Sequence, residues 1–181
     1  MTELHSMIEG CLRGEEQWQH KLYEAFSPRM FGVCLRYAAS RHEAEDLLVE
    51  GFMQVFRALP TYKGKGPFEA WMYRIFVNTA INAYHRAKRQ AQRVVIDSSQ
   101  MVEPTCDEDT ASTIDMADAL QQSLNALKAE DRLVFNLIAL EGFSYQETAQ
   151  RLKRPVTTIK SQYYRARDFL RCAMEKRLKS K

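Results

Sequence analysis

The segment SYQETAQRLKRPVTTIKSQYYRARDFLR, residues 144–171, begins with the signature of a helix N-terminus. Ser144 and Glu147 have the spacing of a capping box, in which the serine hydroxyl and the glutamate carboxylate each accept a hydrogen bond from a backbone N–H group. This helix is expected to run to about Leu152. Gly142, two residues before the box, has the position of a glycine that ends the preceding helix.

A second helix follows after a short break at residues 153–156. Pro155 cannot simply continue the first helix, because its ring clashes with the preceding turn and it lacks an N–H group. Thr157 is expected to cap the second helix, which then runs through roughly Lys176. Two helices joined by a turn of about four residues, the second one basic, have the pattern of a helix-turn-helix motif.

The second helix has two different faces when it is read at about 100° per residue. One stripe is apolar enough to pack in a core: Ile159, Tyr163, Ala166 and Leu170. The opposite side carries hydroxyl groups and cations: Thr158, Lys160, Ser161, Tyr164, Arg165, Arg167 and Arg171. Short polar side chains near the N-terminus and cations further along suit a helix that enters a DNA major groove N-terminus first. An ordinary surface helix remains the alternative.

Charge is segregated along the chain, although the formal net charge is only +3. Residues 151–181 carry eleven Lys and Arg against two acidic residues, an imbalance typical of a domain that binds a phosphate backbone. Residues 94–127 carry no Lys or Arg, and they hold seven acidic residues among Ser, Thr and Pro. This composition predicts a solvated, flexible linker with a domain boundary inside it.

Two further helices are expected between this linker and the helix-turn-helix. Leucines at helical spacing mark the first of them: Leu120, Leu124 and Leu127. The second is marked by Leu133, Leu137 and Ile138, with Val134 or Phe135 beside them. The C-terminal domain is therefore expected to contain four helices.

The N-terminal half is also expected to be helical. Residues 15–37 predict helices interrupted near Ser27 and Pro28, with these inward candidates: Leu22, Phe26, Met30, Phe31, Cys34 and Leu35. Ser40 and Glu43 form a second capping box, and it opens a helix that Pro60 ends. The apolar stripe of this helix consists of Leu48, Phe52, Val55, Phe56 and Leu59, and three acidic residues lie off it: Glu45, Asp46 and Glu50.

A Gly-rich basic loop, residues 61–67, precedes a long helix from about Phe68 to Gln90. This helix mixes aromatic side chains with Asn and Arg, and unpaired bases can stack on rings while amides read their edges and cations hold the strand. Most of the large apolar side chains are expected to be core anchors: Phe68, Trp71, Ile75 and Phe76. The better candidates for exposed contacts are Tyr62, Tyr73, Asn78 and Asn82.

Composition excludes several other classes of protein. Seven Gly and five Pro, with 45% hydrophobic residues, predict an all-α protein with packed cores. No stretch approaches the roughly 18 uncharged apolar residues of a membrane span, and no signal peptide is recognisable, so a cytoplasmic location is expected. The dispersed cysteines and histidines predict free thiols, no metal site and no cofactor. An enzyme is disfavoured, because no nucleophile elbow is recognisable.

Four motifs resemble one family. HEAEDLLVEGF at residues 42–52 and GPFEAWMYRIFVNTA at residues 66–80 resemble region 2 of the extracytoplasmic-function (ECF) sigma factors of bacterial RNA polymerase. EGFSYQETAQRL at residues 141–152 and PVTTIKSQYYRAR at residues 155–167 resemble region 4. Together the two regions would cover nearly the whole chain apart from the acidic connector.

The resemblance implies two small helical domains with different tasks. Residues 1–93 would dock on the polymerase and recognise and melt the −10 element, and residues 117–181 would read the −35 element through the helix-turn-helix. A flexible acidic linker, residues 94–116, would join them. The implied partners are promoter DNA, both duplex and melted, and core RNA polymerase, through the clamp-helix coiled coil of its largest subunit and the flap of its second-largest. The resemblance also admits an anti-sigma factor and implies no membrane insertion.

The resemblance also places these tasks on residues. Polymerase docking falls on Asp46 and Glu50, with Val49 where the family usually has Gln. The contacts to the −10 element are Tyr62, Lys63, Tyr73, Asn78, Asn82 and Arg86. The contacts to the −35 element are Thr158, Lys160, Ser161, Tyr164 and Arg165. Thr157 stands where the family often has Gly and Gln162 where it often has Arg, which predicts one missing phosphate contact and an unusual preferred sequence.

Two alternatives remain open at this point. A free-standing helix-turn-helix regulator would need no polymerase, but such proteins usually dimerise on half-sites, and the chain has no obvious dimerisation heptads. A nucleic-acid-processing enzyme would need clustered carboxylates for metal ions. The only dense acidic cluster, residues 107–109, lies in the predicted linker, where its geometry cannot be held.

Overall fold

The computed structural model describes residues 3–94 and 116–179, and within these ranges every regular element is helical. The helices are α1 Glu3–Leu12, α2 Glu16–Tyr37, α3 Arg41–Ala58, α4 Phe68–Val94, α5 Met116–Asn125, α6 Ala129–Phe135, α7 Tyr145–Leu152 and α8 Val156–Lys179. A 3₁₀ turn, Leu59–Thr61, follows α3, and a π-helical turn, Asn136–Leu140, follows α6. The predicted all-α class is confirmed. The predicted linker lies almost entirely outside the described residues.

The chain divides into two compact units, residues 1–82 and 83–181. In the first unit α2 packs against both α1 and α3. In the second unit α5, α6 and α7 each pack against α8. The α4 helix begins in the first unit and ends in the second.

The predicted interruption near Ser27 and Pro28 is wrong, because α2 continues through Pro28 as one helix. A proline removes one backbone hydrogen bond, but the residues on both sides of it are anchored by packing. Leu22 lies one turn and a half before Pro28 and Met30 just after it, and both side chains are almost completely buried. Tertiary packing therefore holds the two halves of α2 in line. The inward candidates on this helix are buried or half-buried.

The α3 helix starts as predicted, with one difference in its cap. The Ser40 hydroxyl accepts the backbone N–H of Glu43 at 3.1 Å. The Glu43 carboxylate, however, accepts the N–H of Ala39 at 2.7 Å rather than that of Ser40. The Glu43 carboxylate thus satisfies a backbone donor just before the helix, and the Ser40 hydroxyl satisfies one in its first turn.

Aromatic rings from three helices form the core of the first unit. Phe52 of α3 meets Phe76 of α4 edge to face, with ring centroids 5.4 Å apart. Phe26 of α2 meets Phe68 of α4 in the same way at 5.7 Å. Phe68 and Phe76 are buried, as predicted, whereas Trp71 and Ile75 are only half-buried. The buried set on α4 also includes residues that the sequence analysis did not select: Met72, Val77, Ala80 and Ile81.

Close packing in this core makes Gly51 a sensitive position. A Cβ atom at Gly51 would overlap with the ring of Phe76. Phe76 is 1% exposed, so its ring cannot move aside into solvent. We expect Gly51→Ala to lower the free energy of unfolding by about 2 kcal/mol, since overpacking a tight core forces side chains and backbone to shift.

Gly32 is the matched control for this substitution, because it also lies inside a helix but has open space around its Cβ position. Gly32→Ala should raise stability by about 0.5–1 kcal/mol through helix propensity alone. Urea titration of both variants checks the pair. A Gly51→Ala variant as stable as wild type would show that the Phe76 contact is not tight.

The core of the second unit lies between α5 and α8. It contains Leu124 and Leu127 together with Ala166 and Leu170, and Phe135 packs against it. Leu120, which helped to mark α5 in the sequence, is instead 41% exposed. The marked helix exists, but its apolar stripe is only partly buried.

The helix that begins at Ala129 ends just before Gly142, as predicted, but its last turn is π-helical rather than α-helical. Leu133, Val134 and Leu137 are buried. The backbone widens to a π-helical turn after Phe135, and the chain then turns at Gly142 with φ of 73°. A positive φ is the conformation that glycine adopts without steric penalty. The prediction that Gly142 ends this helix is confirmed.

The capping box at the start of α7 is confirmed. The Ser144 hydroxyl accepts the Glu147 N–H at 3.2 Å, and the Glu147 carboxylate accepts both the N–H of Ser144 at 2.8 Å and its hydroxyl at 2.7 Å. These bonds satisfy two backbone donors that would otherwise lack helical partners. The first helix of the helix-turn-helix is thus fixed at its N-terminus by its own sequence.

This cap makes the stability of the second unit depend on pH. Hydrogen bonds from the Ser144 hydroxyl and then its backbone N–H lower the pKa of Glu147 below its ordinary value. A carboxyl group whose pKa is depressed by folding contributes stability above its unfolded pKa, and that contribution is lost as the pH falls through the folded pKa. We expect Glu147→Gln to be less stable than wild type at neutral pH, and the difference to shrink steadily below about pH 4. Thermal melts across pH 3–7 check this, and parallel curves for the two proteins would contradict it.

The predicted cap at Thr157 is wrong, because α8 is already helical at Val156 and Thr157 is its second residue. The Pro155 carbonyl accepts the first helical bond, from the N–H of Ile159 at 3.2 Å. Proline has a φ suited to the start of a helix and no N–H group to leave unpaired, so it serves well there. The turn before it is made by Lys153, with φ of 52°.

Three cysteines lie in the described ranges and none of them forms a disulfide: Cys11, Cys34 and Cys172. Burial raises the pKa of the Cys34 thiol to about 12. Cys106 lies outside the described residues. Within residues 3–94 and 116–179 no three His, Cys, Asp or Glu side chains come together as a group that could hold a metal ion. Nor does any helix in this part of the chain combine the length and apolarity needed to cross a membrane.

Candidate nucleic-acid interfaces

The α8 helix presents the predicted −35 contacts on its exposed side. Thr158, Lys160, Ser161, Tyr164 and Arg165 are all exposed, as are Arg167 and Arg171. Ile159, Ala166 and Leu170 of the opposite stripe are buried, and Tyr163 is half-buried. The helix therefore has one face fixed in the core and one face of hydroxyl groups and cations, which is the arrangement that a DNA-reading helix requires.

An aromatic cluster that the sequence analysis did not identify lies beside this face. Tyr145, the first residue of α7, meets Tyr163 edge to face with ring centroids 5.7 Å apart. The Lys160 ammonium lies 5.8 Å from the centre of the Tyr145 ring, and the Arg167 guanidinium lies 5.0 Å from that of Tyr164. These contacts hold the cations against rings and so limit their freedom before DNA arrives. No local sequence signal distinguishes Tyr145, because its role depends on a contact with α8.

Two acidic residues at the start of α6 hold polar side chains of the helix-turn-helix. Glu130 accepts hydrogen bonds from Arg154 and, at 3.2 Å, from the Gln162 amide. The bond from Arg154 is the main reason that the pKa of Glu130 lies below its ordinary value. Gln162 is only 3% exposed, so its side chain points into the fold rather than toward solvent. This burial supports the expectation that Gln162 supplies no phosphate contact.

The second acidic residue of this pair, Asp131, binds a predicted DNA contact. Its two carboxylate oxygens accept hydrogen bonds from Nε and Nη2 of Arg165, at 2.9 and 2.8 Å. The Asp131 side chain is 5% exposed, whereas that of Arg165 is 62% exposed. These bonds are also the main reason that the pKa of Arg165 is raised. Arg165 is thus held at one edge and open to solvent at the other.

Two amides and two cations lie along the exposed side of α4. Asn78 and Asn82 are exposed one turn apart, and Arg74, one turn before them, is exposed as well. Arg86, a further turn along the helix in the second unit, is also exposed. Tyr73 is half-buried, and its hydroxyl accepts a hydrogen bond from Arg36 of α2 at 3.1 Å. Arg74 is not among the contacts predicted from the sequence.

The Gly-rich loop before α4 is closed by Tyr62. The Tyr62 hydroxyl donates a hydrogen bond to the Gly66 carbonyl at 2.9 Å, and its ring contacts Phe68 and Trp71 with centroids 5.1 and 5.2 Å away. Gly66 has a φ of 95°, which only glycine adopts readily. Tyr62 is half-buried by these contacts, while Lys63 in the same loop is exposed. The loop is thus a preformed turn on an aromatic base.

The exposed side of α3 combines acidic and apolar side chains. Asp46 is exposed and Glu50 is half-buried. Between and beyond them, Val49 is 55% exposed and Met53 is 49% exposed, one turn apart on the same side of the helix. The resemblance predicts Asp46, Val49 and Glu50 at this surface, whereas Met53 carries no such signal in the sequence. An apolar centre within a charged rim is typical of a protein interface.

Comparison with known proteins gives this arrangement a family. Residues 22–90 match Sigma-70 region 2, and residues 117–170 match Sigma-70, region 4. These two regions occur in the order and on the elements described above, and together they account for more than half of the chain. The chain therefore belongs to the sigma-70 family of sigma factors, which direct promoter-specific initiation of transcription.

Within that family the chain is of the ECF type. It is 26% identical over 178 residues to the RNA polymerase sigma-H factor of Pseudomonas aeruginosa, with 93% of this chain and 92% of that one covered. It is 25% identical over 171 residues to the ECF RNA polymerase sigma-E factor of Escherichia coli K12, with 90% and 89% covered. The sigma factor RpoE of Bartonella quintana, solved with the anti-sigma factor NepR, shares the fold with a TM-score of 0.54. That match is 22% identical and covers 86% of this chain and 96% of that one.

Proposed function

We propose that the chain binds core RNA polymerase and directs it to promoters through two separate DNA contacts. Residues 117–181 read the −35 element as duplex DNA, and residues 1–93 recognise the −10 element and capture its unpaired bases. The acidic connector, residues 94–116, joins the two domains. The chain acts in the cytoplasm and catalyses no covalent step itself.

One observation carries this proposal: two long helices, α4 and α8, each bury one stripe and expose polar side chains suited to nucleic acid on another. On α8 these are hydroxyl groups followed by cations, and on α4 they are amides next to a closed Gly-rich loop. A free-standing repressor needs only the first kind of helix. A chain with both kinds can position itself on duplex DNA and also hold a separated strand.

Strand capture is the task proposed for α4 and its loop. Extracting a base from the duplex stack costs a few kcal/mol. Stacking of the base on a protein ring and hydrogen bonds to its edges offset that cost. Asn78 and Asn82 supply the edge contacts, and Lys63 and Arg86 supply cations for the strand. Tyr62 closes the loop through its bond to the Gly66 carbonyl, and we assign the remaining aromatic contact to Tyr73 on α4.

Docking on the polymerase is proposed for the exposed side of α3. Asp46 and Glu50 give this side its negative charge, and Val49 with Met53 gives it an apolar centre. A coiled coil with basic residues around an apolar seam complements such a surface. We assign this role to the clamp helices of the largest subunit, and we assign the flap of the second-largest subunit to the C-terminal domain. An anti-sigma factor could occupy the same surfaces and block both contacts.

Two weak contacts joined by a linker become strong only when both are held on one partner. The second contact is then an intramolecular event, and the gain in affinity over either contact alone reaches about 10²–10⁴. The free chain is therefore expected to bind a promoter poorly. The polymerase would supply the fixed frame on which both DNA contacts act together.

Fluorescence anisotropy on a labelled promoter duplex tests the proposal. The promoter is chosen from start sites mapped with the reconstituted holoenzyme, and salt is held constant, because affinity for DNA depends steeply on it. We expect binding of the chain with core polymerase to be at least about a hundredfold tighter than binding of the chain alone. A tight, sequence-specific complex of the free chain would contradict the proposal and favour a free-standing regulator.

A further inference from the structure

Asp131 binds Arg165 through only one edge of its guanidinium group. A guanidinium group carries five N–H donors in one plane. Asp131 occupies the side edge of Arg165, formed by Nε and Nη2, through both of its oxygens at 2.9 and 2.8 Å. The end edge, formed by Nη1 and the second hydrogen of Nη2, is not used by this pair. The side chain that carries it is 62% exposed.

The end edge of a guanidinium matches the edge of one particular base. Guanine presents two acceptors, O6 and N7, in the major groove, and a bidentate Arg is the commonest specific contact to it. Arg165 lies on the exposed side of α8, one turn beyond Ser161. A fixed guanidinium there loses less conformational freedom on binding than a free one, since both side-chain rotation and tilt are already restrained.

Asp131 is well suited to restrain Arg165. It lies in the first turn of α6, where the helix dipole favours a negative charge, and its side chain is 5% exposed. A buried carboxylate requires a partner, and Arg165 is the partner that both of its oxygens bind. The pair joins α6 to α8 across 34 positions in sequence. The orientation of Arg165 is thus set by the core of the unit rather than by solvent.

We propose that Asp131 is a positioning residue for promoter recognition, which holds Arg165 so that its free edge reads one guanine of the −35 element. The inference rests on the proposed function, because it requires that α8 read duplex DNA. It adds a residue outside the reading helix to the specificity of that helix. It also predicts which kind of base pair Arg165 selects.

Holoenzyme assembled from the full chain and core polymerase tests this inference on a set of promoters in which each −35 base pair is replaced in turn. We expect wild type to lose about tenfold or more in initiation when one particular G·C pair is replaced. Asp131→Asn and Arg165→Lys should each reduce that discrimination to about twofold and leave the other positions unchanged. Asn cannot accept both bonds, and Lys cannot form them in this geometry. The double variant should resemble either single variant, since both changes break the same pair.

Asp168→Asn is the matched control. Asp168 also binds an arginine of α8, Arg167, at 3.1 Å, but its side chain is 49% exposed. This variant should keep the wild-type preference at the guanine position. Arg165→Lys changes an exposed residue and tests whether Arg165 itself reads the guanine, whereas Asp131→Asn tests whether Asp131 positions it.

Two results would overturn the inference. One is full discrimination at every −35 position in Asp131→Asn, and the other is an equal loss at all positions, which would mean that the pair only stabilises the fold. A wild-type holoenzyme that initiates at no promoter would contradict the proposed function itself. That result is distinct from a failure of the Asp131 inference, which concerns only discrimination among −35 base pairs.

Discussion

Replacing Asp46 with lysine is expected to reduce promoter-dependent transcription about a hundredfold while leaving the fold intact. Asp46 lies on the α3 surface proposed to dock on the polymerase, and its side chain is 74% exposed, so lysine meets no steric barrier. Reversing a charge at an interface replaces attraction with repulsion, and a hundredfold loss corresponds to about 2.7 kcal/mol, within the range measured for such pairs. Run-off transcription and a pull-down with core polymerase should fall together.

Glu24→Lys is the matched control for this prediction. Glu24 has an exposed carboxylate in the same unit, at 63%, and a histidine four residues before it, His20, at 3.2 Å. Asp46 has the same relation to His42, at 3.9 Å. Both variants therefore change one surface charge and one weak ion pair. Equal effects of the two substitutions would show that the docking surface is not on α3.

Replacing Asn78 and Asn82 together with alanine should reduce initiation on duplex templates about thirtyfold. Each amide is proposed to hydrogen-bond the edge of a captured base, and the loss of two such contacts removes roughly 2 kcal/mol of strand-capture energy. Both residues are exposed, so stability should change by less than about 0.5 kcal/mol. Permanganate oxidation of unpaired thymines measures melting directly, and its signal should fall in parallel with transcription.

A template with a mismatched, already unpaired −10 element distinguishes melting from polymerase binding. The Asn variants should recover most of their activity on it, because the cost of unstacking has been removed. Gln90→Ala, at another exposed position on α4, should behave as wild type on both templates. An equal defect on duplex and unpaired templates would place these residues outside the melting step.

Local chemistry is what the sequence predicts best in this chain. The capping box at Ser144 and Glu147 and the glycine turn at Gly142 depend on residues only a few positions apart, and both are present as expected. The buried stripe of α8 follows in the same way, since periodicity alone defines it. The exposed side of α8 proposed to read DNA follows from the same periodicity.

The sequence misleads where packing overrides a local preference. Pro28 is a local signal for interruption, but buried residues on both sides keep α2 continuous. Thr157 is a good capping residue by type, yet Pro155 starts α8 two residues earlier. In α2 the local preference is small compared with the burial of apolar side chains on either side. In α8 one local signal gives way to another, because proline is itself well suited to the start of a helix.

Partners distant in sequence could not be predicted at all. Asp131 and Arg165 are separated by 34 positions, and no pattern in either helix indicates that they meet. Tyr145 and Lys160 are a similar case, because their contact joins α7 to α8. Val49 and Met53 lie only four positions apart, but their significance depends on which faces of the helices are covered. The proposed specificity of the −35 reader depends on contacts of this kind.

Run-off transcription with purified core polymerase on a library of genomic fragments tests the central claim most directly. Addition of the chain is predicted to start new transcripts from a small set of fragments that share two sequence elements, one near −35 and one near −10. These transcripts should disappear with Asp46→Lys and persist with Glu24→Lys. If adding the chain starts no new transcript from any fragment, the account of this protein as a promoter-specificity factor is wrong.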